Sequence, residues 1–459
     1  MKYFLRLIEK YKLHIFIPIL LLLWKLSLFL YLPKVSTDGP WTLSHLFSFI
    51  RGDINASSFA HNFDGDIYKT HVLEIILYPF YSSGEVNTYV FIMVGFLFIS
   101  INLILLKKII EKTNFTNKKL IFLIIAVGYL TSNYTYNFRA EIYILPFILS
   151  IILFLKEYSI KKNVLYLILI SLFSSISFLI HPISALVSSF LIIYFFYKSN
   201  FNLSFLFQIT IYGVVSLLLV SGFNILDYLN LYLNSNEVGD HSFTFSLFLK
   251  YLKFNPYLII IIGSTLLFEK KIINLLFLAS FILLIASFGR SYYFRYLLPF
   301  LIIIPMLNKE QKSGKLLETK FSLITSFILL GFSFYVSHFF PTIQNVENPQ
   351  LGKTFRNILK KTDEIGKSFP PEHKIWVSSQ LGMEIIDQPN ARLHHHFYEL
   401  MATKKIHLKP GDKMYFWKKK NIQKRLKDQV SNNINSLNIK SIIKPQKNHY
   451  RFSKPFIKR

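Results

Sequence analysis

The chain has 459 residues, is 52% hydrophobic and 17% aromatic, contains no cysteine, and carries a formal net charge of +27. Without cysteine there is no disulfide framework, no thiolate metal site and no cysteine nucleophile. Apolar runs of about 20 residues recur over the first three quarters; that length crosses a bilayer core and exceeds most globular helices, which argues against a soluble enzyme with buried helices.

The chain opens with "MKYFLRLIEKYKLHIFIPILLLLWKLSLFLYLP", basic and then apolar. Its apolar part is too long for the core of a signal peptide, and no small-residue cleavage site follows, so it reads as an uncleaved first span. Lys25 lies in the outer half of this run and can snorkel toward the interface. In chain order the pattern predicts spans over 13–32, 87–107, 119–136, 140–156, 163–180, 182–198, 203–222, 254–268, 272–288, 292–307 and 321–340. The fifth and sixth are nearly continuous. They meet in "IHPIS", where Pro182 predicts a break in the helix.

Loop charge sets the orientation. The N-terminal segment and the links after even-numbered spans read "MKYFLRLIEKYK", "KKIIEKTNFTNKK", "KEYSIKK", "YKSN", "EKK" and "NKEQKSGKLLETK". They are lysine-rich, as cytoplasmic loops are. The first opposite loop, 33–86, carries Asp38, Asp53, Asp64, Asp66, Glu74 and Glu85. An odd number of spans then leaves the C-terminus outside. The expected location is a bacterial cytoplasmic membrane with a cytoplasmic N-terminus. The high charge also suits anionic lipid head groups or phosphorylated ligands. No basic motif with interleaved aromatics stands clear of the spans, so nucleic acid is not an expected partner.

Three stretches do not span. Within loop 33–86, "SHLFSFIRG" and "YKTHVLEIILYPFY" are apolar but short, as interfacial helices are. Residues 223–253 form a second outer loop. Residues 341–459 form a basic C-terminal domain in which "KIWVSS", "DKMYFW" and "IKSIIKPQKNHYRFSK" read as strands. The expected fold is an all-α polytopic membrane domain, 1–340, with a small α/β extracytoplasmic domain, 341–459.

Ionisable residues at membrane depth are costly and mark polar cavities or functional paths. Those inside or beside spans are Asp38, Lys69, Arg139 and Glu141 in "NFRAEIY", His181, Asp240 and His241, and Arg290 and Arg295 in "GRSYYFRYLLPF". Under this topology all of them face outward, which points to one outward-facing site. Each has a structural alternative. Asp38 in "STDGPW" suits the cap of an interfacial helix starting at Gly39 or Pro40. Arg139 and Glu141 suit an interfacial pair, and His181 a buried, satisfied histidine. Arg290 and Arg295 suit membrane anchors, although they lie on the side where the positive-inside rule does not place them. The run His394, His395 and His396 lacks metal-ligand spacing. No phosphate-binding glycine loop, dinucleotide fingerprint or zinc-protease helix occurs.

In these motifs and this architecture the chain resembles the GT-C superfamily of membrane glycosyltransferases, within it the bacterial branch related to protein mannosyltransferases and aminoarabinose transferases. Asp38 stands where that family places an acidic residue, just after the first span. "YKTHVL" around Lys69 is similar to a Lys-Pro-Pro segment without its prolines. "FRAEIY" resembles an Arg-Pro-Glu stretch opening the fourth span, with Ala140 in place of proline. "IHPIS" resembles a His-Pro stretch, and "YFRYLLPF" the opening of a late span. Gly39 stands where many relatives carry a second acid.

The resemblance implies a hexosyl- or pentosyltransferase that moves a sugar from a polyprenyl-phosphate donor to a glycan, lipid or protein acceptor. Asp38 would be the catalytic base. Lys69, Arg139, Glu141, His181, Arg290 and Arg295 would bind substrate, their cations facing the leaving phosphate. No cofactor is demanded; a divalent cation is compatible, with Asp64, Asp66, Asp240 and His241 as its candidate ligands. A lipid-linked glycan polymerase or ligase and a polytopic transporter or flippase are the competing classes.

Overall fold

The computed structural model describes residues 10–33, 72–81, 87–112, 118–131, 133–136, 138, 140–181, 183–198 and 202–221, with short stretches between 356 and 457. Within the described residues up to 221, eight α-helices follow in order: α1 (Leu13–Tyr31), α2 (Val72–Tyr81), α3 (Thr88–Glu111), α4 (Lys118–Thr131), α5 (Ala140–Lys161), α6 (Val164–Ile180), α7 (Ile183–Lys198) and α8 (Leu203–Ser221). Seven of them coincide with the first seven expected spans. The remaining expected spans, 254–268 onward, lie outside the described residues. Helices α1, α3, α5 and α8 are long and apolar enough to cross a membrane. This part of the chain is an all-α membrane protein.

Local sequence explains where the helices begin. The Asn87 side chain accepts from Tyr89 N and Val90 N at 3.0 Å each, capping α3. Asn163 accepts from Leu165 N at 2.9 Å and caps α6, and Asn202 accepts from Phe205 N at 3.1 Å and caps α8. Each satisfies amides that the first helical turn leaves without a carbonyl.

The third span ends sooner than expected: α4 stops at Thr131, and a 3-10 turn follows at Asn133–Tyr136. Hydroxyl groups take over the last carbonyls. Thr131 donates to Gly128 O at 3.2 Å, Thr135 to Tyr129 O at 2.6 Å and Tyr136 to Leu130 O at 2.7 Å. With only 14 residues, α4 is about 21 Å long, shorter than a hydrocarbon core of about 30 Å. The fourth span instead runs on to Lys161, beyond the expected 156.

The chain divides into two compact units. The first comprises Met1–Leu26, Phe96–Tyr136 and Ala140–Ile343. In it α6 packs along both α5 and α8. Ser171 and Ser175 of α6 are buried, and Ser171 donates to Ile209 O of α8 at 3.4 Å; small side chains let these backbones approach. Tyr158 of α5, Phe195 of α7 and Phe205 of α8 form an aromatic group with centroids 5.1–6.2 Å apart. Helix α5 is the more central, with more than half of its apolar stretch buried, and α8 the more peripheral. Leu203, Phe207 and Leu219 of α8 are exposed, as lipid-facing residues are.

The second unit comprises Ser27–Gly95, Asn137–Arg139 and Gln344–Arg459. It includes α2, which lies within "YKTHVLEIILYPFY" and buries Leu73, Leu77 and Tyr81 along one face while Ile75 and Tyr78 are exposed. "SHLFSFIRG" lies outside the described residues. Short strands β1 (Ile375–Val377), β2 (Ala391–Leu393), β3 (Lys413–Tyr415) and β4 (Phe456–Ile457) form one sheet in the order β2-β1-β3-β4, parallel except for β3 with β4. β1 falls in "KIWVSS" and β3 in "DKMYFW"; residues 439–454 lie outside the described residues.

Candidate functional site

Of the candidate site residues, His181 is described completely and Glu141 by its backbone. Asp38, Lys69, Arg139, Arg290 and Arg295, and the candidate metal ligands Asp64, Asp66, Asp240 and His241, lie outside the described residues. Among the described residues no group of three or more His, Asp or Glu side chains is placed to hold a metal ion.

His181 is half-buried and closes α6 in an extended conformation, φ −157° and ψ 123°. Its amide donates to Ser177 O and its carbonyl accepts from Ser184 N, both at 3.0 Å. The next residue is Pro182, and a residue before proline avoids the helical region. "IHPIS" is therefore a break whose two sides stay tied to His181 through the backbone. Buried Ser184 and Ser188 follow on α7.

Glu141 occupies the second position of α5. The chain just before it is held by Phe138, which is fully buried at φ 50°. A left-handed backbone costs a residue with a Cβ roughly 1–2 kcal/mol, so neighbours must impose it. They do so here: Phe29 and Phe91 meet the Phe138 ring edge-on, with centroids 5.5 and 5.4 Å away. Gly95 of α3 lies so close to that ring that any Cβ there would overlap it. The sequence carries a trace of this contact in a glycine placed mid-helix. Nothing in it announces the left-handed phenylalanine.

Also in the second unit, segments distant in sequence meet the ends of α1 and α3. Arg356 donates to Tyr31 O at 2.5 Å, its guanidinium 5.3 Å from the Tyr31 ring centre. Glu384 accepts from Thr88 N at 3.0 Å, supplying a further partner at the start of α3.

The first unit holds a residue that the sequence reading undervalued. Lys25 does not snorkel: only 8% of it is exposed, and its ammonium sits 4.9 Å from the centre of the Tyr136 ring. Because the Tyr136 hydroxyl is committed to Leu130 O, the ring face is fixed under the cation. Nearby in the same bundle, the buried Asn102 amide of α3 donates to Tyr129 Oη at 3.1 Å and to Ile142 O at 3.4 Å. The signal for Lys25 was present as a lone charge in an apolar run. What it packed against was not.

The chain matches no family model, and no curated protein matches it. The fold defines its class, a membrane protein built of apolar helices.

Proposed function

We propose that the chain is a membrane glycosyltransferase of the GT-C type. In this reading it has eleven spans in a bacterial cytoplasmic membrane, and residues 341–459 form a small α/β domain on the outer face. A sugar passes from a polyprenyl-phosphate donor to a glycan, lipid or protein acceptor. The observation that supports it is where two motifs fall. "FRAEIY" enters α5 at its first turn, and "IHPIS" occupies the break from which α7 starts. Each stands at a helix start, as the resemblance implies.

In this mechanism the acceptor oxygen or nitrogen forms a bond to the anomeric carbon as the bond from that carbon to the lipid-phosphate oxygen breaks. Asp38 takes the acceptor's proton. The phosphate leaves with the bonding electron pair, and Lys69, Arg139, Arg290 and Arg295 stabilise its growing charge. Glu141 and His181 complete the substrate-binding set. Where a divalent cation takes part, Asp64, Asp66, Asp240 and His241 are the residues to hold it.

The test is Asp38→Asn in purified, reconstituted protein supplied with lipid-phosphate sugars. Transfer should fall at least about a hundredfold with unchanged membrane insertion, the scale of a lost general base. Activity equal to that of the parent would remove Asp38 as the base. Glycolipid and glycoprotein mass spectrometry of a deletion strain would identify sugar and acceptor.

A transporter is the second reading, favoured by the buried charge of Lys25, since intramembrane cations also line transport paths. Lipid-linked sugar crossing sealed vesicles without transfer to an acceptor would establish it instead.

A further inference from the structure

Lysines gather where four helix ends of the first unit meet. The last turns of α3 carry Lys107 and Lys108, with Lys112 just beyond, and α4 opens on Lys118 and Lys119. The last turns of α5 and the link to α6 add Lys156, Lys161 and Lys162. Among the described residues two carboxylates accompany these eight lysines, Glu111 and Glu157, and both are engaged. Lys107 lies 3.4 Å from Glu111. Glu157, itself buried, pairs with Lys112 and with Lys161, the latter at 3.0 Å. One carboxylate thus ties the α3–α4 connection to the α5–α6 connection.

The backbone holds this end in place. Lys118 Nζ, at the start of α4, donates to Glu111 O, at the end of α3, at 2.8 Å. Lys162 takes a left-handed conformation at φ 53° and donates its amide to Tyr158 O at 2.9 Å; Asn163 then caps α6 at once. Lys162 and Lys161 lie over the Tyr158 and Tyr166 rings, at 5.2 and 5.7 Å. Lys118 and Lys156 are close enough to repel each other. A two-residue link and a buried carboxylate therefore hold like charges together, and such an arrangement is stable when an anion screens it.

We propose that this lysine-rich end is a binding site for the head groups of anionic phospholipids, with the lipid phosphate seated among the lysines at the ends of α3, α4, α5 and α6. The ends of membrane-crossing helices lie at head-group depth, where each basic side chain adds to the attraction. Lysine suits the task as a point charge with a flexible reach. The inference depends on the membrane class of the protein and not on the transferase proposal.

The test uses the full chain purified in detergent and offered mixed micelles of phosphatidylglycerol and phosphatidylcholine, with bound lipid counted by native mass spectrometry. The parent should retain phosphatidylglycerol preferentially, and added salt should erase the preference. The variant K108Q/K119Q/K156Q/K162Q should lose about tenfold or more of it. The matching K→R variant, which keeps the charge, should retain it. No preference in the parent, an unchanged preference in the glutamine variant, or one that salt leaves intact would overturn the site. Should the glutamine variant fail to fold, the salt series on the parent decides. Sugar transfer is not read in any arm, so failure here and failure of the transferase proposal are separate results.

Discussion

Among the described residues of the first unit, two lysine environments stand in contrast. Lys25 is buried in the α1 span and rests on the face of Tyr136. Lys112 and Lys161 are largely exposed and meet at the buried carboxylate of Glu157. An aromatic face attracts a cation without carrying a net charge of its own, so it can serve even where water is excluded. A carboxylate attracts more strongly but must itself stay solvated or fully paired, so it serves at a helix end. Exposed Lys161 and Lys162 also lie over the Tyr166 and Tyr158 rings, so an aromatic face serves on both sides of the water boundary, whereas these carboxylate pairs lie at helix ends.

The largest effect separating the two sites should come from reversing the buried charge. Lys25→Glu sets a carboxylate against the negative face of the Tyr136 ring and should cost roughly 3–5 kcal/mol, the scale of an uncompensated buried charge. Thermal unfolding in detergent would measure it, and added salt should not restore it, because buried charges are poorly screened. An equally stable Lys25→Glu protein would show that Lys25 reaches water.

Glu157→Gln should come next, at about 1–2 kcal/mol, because its lysine partners are largely exposed and screened. Its cost should shrink in high salt, opposite to the behaviour of Lys25→Glu. A salt-independent loss would mean that packing, and not charge, dominates at Glu157. The smallest effect should be that of Asn163→Ala, about 1 kcal/mol from the lost cap of α6. That loss is local, and hydrogen exchange should show it as faster exchange at Leu165 and Tyr166 with α3 unchanged.

Span positions were legible because a bilayer demands long apolar runs, and seven expected spans coincide with helices. The break at "IHPIS" was legible from proline chemistry, and the caps at Asn87, Asn163 and Asn202 follow the preference of asparagine for that position. The early end of α4 was not legible. Thr131, Thr135 and Tyr136 read as part of an apolar run until their hydroxyls are seen on the carbonyls of residues 128–130. Of the candidate site residues, Glu141 lies in the first turn of α5 and His181 caps the end of α6; the others lie outside the described residues.

By itself the sequence determined the class of this protein, because hydrophobic length is a sum over neighbouring residues and needs no knowledge of the fold. Only the tertiary structure decided which charge is buried and which meets water, and which pairs distant in the chain make contact. Lys25 with Tyr136, Lys112 with Glu157, Gly95 with Phe138 and Arg356 with Tyr31 are such pairs. Each forms because packing brings the two residues within reach, and local composition records only half of each contact.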